Sequence, residues 1–232
     1  MKNIFDKDRP VESFKETLRE LVHGYEFNVI GLLLKDSTVR PLPRESSVVG
    51  KVLEGSINEY LFRRLLRVTN LRSIPASSDR VYPDFTFNGP LIFPHRFALD
   101  VKCARRRGNK TESAITIGTF DAEYFRYPEE KVRNIMEPYA SYTAHLALIA
   151  LYTYAETTAK DIELLVVEKW RVATRKRSSG TRCYIAASQS IADLRNEKGD
   201  FSSEEEFNAY WRSHAINNEK EGRWRIKRGE GD

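Results

Sequence analysis

A chain of 232 residues, 41% hydrophobic and 31% charged, is long enough to bury the core of one large domain and too apolar to remain disordered. Two cysteines, Cys103 and Cys183, exclude a disulfide framework, and no CxxC or Cys/His set carries zinc spacing, which fits a reducing, cytoplasmic setting. The formal charge of +5 leans towards a polyanionic partner, and the basic residues cluster as Arg105, Arg106 and Arg107, as Arg175, Lys176 and Arg177, and as Arg223, Arg225, Lys227 and Arg228.

The N-terminus, MKNIFDKDRPVESFKE, is too polar for a signal peptide. Phe14, Leu18, Leu21 and Val22 recur at helical spacing after Pro10 and predict a first helix. FNVIGLLL (27–34) reads as a strand, KDST as a turn, with a short strand returning. Ser47 is placed to cap a long helix whose apolar row is Val49, Leu53, Ile57, Leu61 and Leu65. IPASSD is a loop. DFTF, LIF and FALDVKC are strands, with a Gly89-Pro90 turn between the first two, and SAITIGTF is another.

PYASYTAHLALIALYTYAE predicts a second long helix, starting after Pro138, with His145 on its apolar face as a satisfied core histidine. Its apolar centre is too short to span a bilayer. IELLVVEKWRVAT holds one or two strands, RKRSSGTR a basic turn, and CYIAAS a returning strand. SSEEEFNAYWRSH is a helix capped by Ser202 or Ser203 ahead of three glutamates. Trp170, Trp211 and Trp224 read as core or interface, and Gly118 is a lone glycine with no phosphate-loop pattern around it. Strands and helices mix without a regular βαβ repeat, which gives an α+β class, a mixed sheet flanked by helices.

The charges that stand out lie in YPDFTF (82–87) and FALDVK (97–102). Strand alternation puts Asp100 and Lys102 on one face and sends Leu99 and Val101 to the other. Asp84 opens the preceding strand, so pairing of the two strands brings the carboxylates together. Two close carboxylates repel, and a divalent cation with a taste for hard oxygen ligands, Mg²⁺ above all, removes that penalty. A lysine beside it can orient water and stabilise charge on a phosphate, which completes the parts of metal-assisted phosphodiester hydrolysis.

This pattern resembles the PD-(D/E)xK nuclease signature. YPDFTF, FALDVK, TIGTF, YTAHLALIALYTY, EKW, FSSEEEFNAYWRSH and WRIKRG, in this order, narrow the resemblance to type II restriction endonucleases of the EcoRV type over nearly the whole chain. The resemblance implies a restriction-endonuclease-like domain over 1–232, with an N-terminal dimerisation part and a C-terminal DNA-binding part. It implies a homodimer clamping double-stranded DNA in a U-shaped cleft and Mg²⁺-dependent cleavage of both strands at a short palindrome with blunt ends. A DNA methyltransferase protecting the host is implied too.

Carried over by position, Asp84 and Asp100 match the metal-binding aspartates, Lys102 the catalytic lysine, and Glu54 a helix glutamate that can join the metal. IPASSDRV takes the place of the loop that approaches the minor groove. Ser178, Ser179, Gly180, Thr181 and Arg182 take that of the loop that enters the major groove. That loop departs from the family: Thr181 and Arg182 stand where the relative reads bases with asparagine and threonine. Arg suits guanine and Asn adenine, so the resemblance supports the chemistry while the recognised sequence is open. Cys103 and Ala104 replace hydroxyl residues, which points phosphate contacts to Arg105, Arg106 and Arg107, joined by Arg177, Arg225 and Lys227. A repair or structure-specific nuclease of the same core, or a DNA-binding protein that has kept the fold without cleaving, are the alternatives.

Overall fold

The structure, a computed structural model, describes residues 5–180 and 182–220. Helix α1 (Pro10–Val22) buries Phe14, Leu18, Leu21 and Val22, the four predicted residues. Helix α2 (Ser46–Leu65) buries the predicted row of Val49, Leu53, Ile57, Leu61 and Leu65. Ser47 does not cap it. The amides of Val48 and Val49 bond to the Glu45 carbonyl, so the first turn already starts at Glu45 and Ser47 falls inside it. Between the helices, only two residues of the expected 27–34 strand pair: β1 (Leu32–Leu33) with β2 (Val39–Arg40). All four are exposed, whereas Phe27 and Val29 earlier in the run rest against the core without pairing as a strand.

The main sheet runs β3 (Arg72–Pro75), β4 (Phe85–Asn88), β5 (Phe97–Arg107), β8 (Ala144–Ala155), β9 (Thr158–Glu168), with β6 (Lys110–Thr111) on the far end of β5. Neighbours are antiparallel except β5 and β8, which are parallel. Ile74 and Pro75, expected in a loop, pair with Thr86 and Phe85. The expected LIF strand is instead a pair of turns. Gly89 has φ +123°, a Cβ there would meet the Asn70 carbonyl oxygen at 2.7 Å, and Leu91 and Ile92 donate back to Asn70 and Gly89.

The segment expected as a second long helix is the strand β8. Its residues alternate between two cores: Leu146, Leu148, Ala150 and Tyr152 enter the cluster lined by α1 and α2, while Ala147, Ile149 and Leu151 enter the opposite one. Both faces are covered, so the strand reads as an unbroken apolar run. Pairing on both edges, parallel to β5 and antiparallel to β9, satisfies its backbone.

The second core is closed by a three-stranded antiparallel sheet, β10 (Ala173–Arg177), β11 (Tyr184–Ala187) and β7 (Thr116–Thr119), and by α6 (Glu204–Lys220). Ser203 caps α6, accepting the Glu206 amide at 3.2 Å, and Trp211 of the same helix is fully buried in this core. The short helices α3 (Glu123–Arg126), α4 (Lys169–Val172) and α5 (Ile191–Arg195) link these layers. Neither Cys103 nor Cys183 is in a disulfide, and among the described residues no helix is long and apolar enough to cross a membrane.

Candidate active site

Strand β5 divides its side chains as the alternation predicts. Phe97, Leu99 and Val101 enter the core under α1 and α2, and Ala98 and Ala104 enter the other. Asp100 and Lys102 share that second face. There β11 and β7 stand off and leave an open cleft of about 550 Å³, lined by Glu54, Asp84, Asp100, Lys102, Tyr124 and Tyr184. Phe85 pairs with Leu99 across β4 and β5, so one step further Asp84 faces Asp100. The ladder gives way to side chains at that step. The Asp84 amide donates to Asp100 Oδ1 at 3.4 Å, and the Val101 amide donates to Asp84 Oδ2 at 2.7 Å. The approach of Asp84 is fixed from behind by Tyr82, whose amide and carbonyl bond to Asn134 and Met136.

Two lysines meet Asp100 Oδ2. Lys102 Nζ lies 3.5 Å away on the cleft side, and Lys169 Nζ lies 2.5 Å away with its side chain only 5% exposed. Burial, and after it the Asp100 charge, push the Asp84 carboxyl above the usual carboxylate range, against Lys102. Asp100 goes the other way: burial opposes its charge, but Lys102 and Lys169 outweigh that and bring it down to about 2. Burial of Lys102 is outweighed by Asp100, Asp84 and Glu54, which raise it, whereas burial leaves Lys169 below the ordinary lysine value. His145, on β8 and not on a helix, is the satisfied core histidine expected. Its Nε2 faces the Tyr139 carbonyl at 3.1 Å and must donate, so Nδ1 accepts from Tyr82 Oη at 2.6 Å. Burial holds it neutral, down to about 3.

Glu54 projects from α2 into the same cleft and is held by Lys51 at 2.8 Å, which also reaches Asp79 of the 76–81 loop at 3.1 Å. Among the described residues no three His, Cys, Asp or Glu side chains gather into a metal-binding group. The donor set is the Asp84–Asp100 pair, with Glu54 nearby. Such a set fits Mg²⁺, which keeps several waters and binds through one or two carboxylates plus substrate phosphate.

The predicted recognition loop joins β10 to β11. Ser178 donates its amide to the Tyr184 carbonyl and shares a 2.8 Å hydroxyl contact with Thr116, Gly180 is exposed, and Arg182 donates to Tyr184 Oη at 3.1 Å. Ser179 stands beside Gly180 in the loop. Thr181, Arg225 and Lys227 lie outside the described residues. Arg177 is exposed, its guanidinium 5.1 Å from the Phe120 ring.

Arg105, Arg106 and Arg107 complete β5. Arg105 donates to the Arg44 carbonyl and lies over the Tyr154 ring at 4.9 Å. Arg106 bonds to the Asp161 carbonyl and to Glu163, the latter at 2.7 Å, and Arg107 is exposed. The intramolecular bonds of Arg105 and Arg106 tie them to the chain itself. Lys169 is the site residue that sequence reasoning missed; its one signal was a charge closing the apolar run IELLVVEKW.

Set out this way, the fold is that of a restriction endonuclease. It matches the solved NlaIV restriction endonuclease with a TM-score of 0.52 at 14% identity, over 92% of this chain and 89% of that one. The sequence goes further. The family described as Restriction endonuclease EcoRV matches residues 23–228. The type II restriction enzyme EcoRV of Escherichia coli is 22% identical over 208 residues, 82% of this chain and 83% of that protein. The chain belongs to the restriction endonuclease EcoRV family, and so to the type II restriction endonucleases, the site-specific deoxyribonucleases.

Proposed function

We propose that two copies of this chain clamp duplex DNA and, with Mg²⁺, cut both strands at a short palindrome to leave blunt ends. The observation that carries the reading is the convergence of Asp84, Asp100 and Lys102 on one wall of an open cleft whose other walls hold the 76–81 loop and Tyr184. A divalent cation held by the two aspartates would act as a Lewis acid towards the scissile phosphate. Lys102, 28% exposed and on the cleft side of Asp100, is placed to donate to a phosphate oxygen or to orient the attacking water. In-line attack by water at phosphorus forms the new P–O bond and breaks the bond to the 3′ oxygen; the attacking water gives its proton to solvent, and the leaving 3′ oxygen takes one up from solvent. Glu54 serves as a further carboxylate of the site once Lys51 releases it.

The dimer reading draws support from the N-terminal part. Ile30, Leu32, Leu33 and Val39 expose an apolar surface on and beside the β1–β2 hairpin, with Ile30 76% and Leu33 73% exposed. The C-terminal part supplies the DNA contacts: the loop of Ser178, Ser179, Gly180, Thr181 and Arg182 in the major groove, with Arg177, Arg225 and Lys227 on phosphates. Such an enzyme works in the cytoplasm beside a methyltransferase that protects the host's own sites.

Incubating plasmid with the protein and Mg²⁺ tests the whole reading. Discrete fragments with flush ends at one sequence are expected. A smear or nicking means a repair or structure-specific nuclease instead, and binding without cleavage means a protein that has kept only the fold.

A further inference from the structure

Two lysines on one carboxylate oxygen is more positive charge than orienting Asp100 requires, and the two are not equivalent. Lys102 approaches through the cleft, where a phosphate would sit. Lys169 approaches from beneath, out of α4, and faces a small space lined by Tyr82, Tyr124, Tyr139 and Phe207. Its Nζ lies 4.3 Å from the centre of the Tyr82 ring, and that ring stacks on Tyr124 while its hydroxyl is pinned by His145. The backbone on either side of Lys169 is held as well: the Glu168 amide donates to Glu197 and the Gly199 amide to the Arg171 carbonyl. Lys102 lines the cleft and Lys169 does not.

We infer that Lys169 is a positioning residue: it is the fixed counter-charge of Asp100, and by balancing that carboxylate from below it leaves Lys102 free to serve the scissile phosphate. The inference rests on the reading of Asp84, Asp100 and Lys102 as the cleavage site. Asp84, Asp100, Lys102 and Lys169 sum to zero charge. Without Lys169 the group is left with one excess negative charge, and Lys102 is the cation within reach to neutralise it. Lys102 is then drawn onto Asp100 and away from the phosphate. The same excess charge draws a divalent cation more strongly.

Lys169→Met, similar in length and uncharged, separates this role from simple packing. Single-turnover cleavage at saturating Mg²⁺ should fall by about tenfold or more, while Mn²⁺ binding to the DNA-free protein, followed by calorimetry, should tighten several-fold. Packing alone predicts that both weaken together. Unchanged or weaker Mn²⁺ binding overturns the counter-charge, and unchanged cleavage overturns the effect on Lys102.

Should Lys169→Met prove too unstable to purify, Lys169→Met/Asp100→Leu carries the test. Removing both charges should restore the unfolding temperature to near that of wild type, and a double variant as unstable as the single one overturns the pairing. If wild type cleaves no DNA, the cleavage reading fails, but the Mn²⁺ and stability measurements still decide the role of Lys169.

Discussion

Asp84 faces Asp100 across the β4–β5 ladder, and each carboxylate accepts a backbone N–H from the other's strand, at 2.7 Å for Asp84 Oδ2 and 3.4 Å for Asp100 Oδ1. Two anions are thus built into the sheet where a regular ladder bond would otherwise stand. Their unequal surroundings set their roles. Asp100 is neutralised by two lysines and lies deep, while Asp84 faces the cleft with less compensation.

Alanine substitution of Asp84, Asp100 or Lys102 should each lower cleavage by about a hundredfold or more. Their stabilities should part company. Asp100→Ala strands Lys169 in the interior and should cost about 3 kcal/mol, the usual penalty for breaking a buried pair. Asp84→Ala removes a half-buried carboxylate whose charge burial and Asp100 both disfavour, but it leaves the Val101 amide without its acceptor, and should cost about 1 kcal/mol, less than Asp100→Ala. Urea melts beside a cleavage assay check both. Near-normal cleavage by Asp100→Ala would remove the site.

The pH dependence follows from the same asymmetry. Holding a cation needs both carboxylates ionised. Asp100, brought down to about 2, stays ionised through the mildly acidic range. Asp84 is the raised one, so cation affinity should be lost as pH falls through its elevated value, above the ordinary aspartate value of about 3.9. Lys102 opposes the elevation, so Lys102→Met should move the loss to still higher pH. Ca²⁺-dependent DNA binding followed against pH measures this, because Ca²⁺ tolerates looser coordination and should permit binding with little turnover. Mg²⁺ should restore cleavage and EDTA abolish it; full activity in EDTA would dispense with the cation.

The basic residues should divide into structural and DNA-binding sets. Arg195 and then Arg106 grip Glu163, and these bonds, against burial, bring its carboxyl down to about 2. The stability this contributes is present above the unfolded glutamate value and lost as pH falls through the folded one. Arg106→Ala should therefore cost about 1 kcal/mol, since the pair is part-buried and Arg195 still holds Glu163, and leave the salt dependence of DNA binding as it was. Arg177→Ala should flatten that dependence by about one unit and leave stability alone. Affinity measured against salt for both variants decides; a flattened slope for Arg106→Ala would return it to the DNA-binding set.

How much of this was legible in the chain depended on range. FALDVK announces its two faces because alternation is local, and the α2 row of Val49 to Leu65 announces its buried stripe for the same reason. HLALIALYTYA did not announce a strand. With both faces buried, its alternation is between two apolar cores, and no polar residue marks the period. FNVIGLLL misled in the opposite sense, since Phe27 and Val29 rest on the core while Ile30, Leu32 and Leu33 face outwards, and only Leu32 and Leu33 pair as a strand. Lys169 was out of reach altogether. It lies 69 residues from Asp100 in sequence, and only the parallel pairing of β5 with β8 and the return of β9 bring it under that carboxylate.

The last prediction concerns what is read. The loop between β10 and β11 ends in Arg182, exposed, with its guanidinium 5.7 Å from the Tyr184 ring and bonded to its hydroxyl. Tyr184 in turn lines the cleft, so this arginine is held at the cleft's rim. A guanidinium fork matches guanine O6 and N7, and exchanging a tyrosine hydroxyl for two guanine acceptors gains a second, charge-assisted bond. The expected target is a palindrome with at least one G·C pair read by Arg182, different from the site of the relative whose loop carries asparagine and threonine. Arg182→Ala should lose about 1–3 kcal/mol of discrimination at that pair while cutting the remaining positions as before. Tyr184→Phe removes only the resting bond and should leave the site preference intact. Cut sites mapped on a randomised library for wild type and both variants give the answer. If Arg182→Ala keeps the preference at every position, Arg182 is not a reader, and Asp84, Asp100 and Lys102 cut at a sequence chosen elsewhere in the cleft.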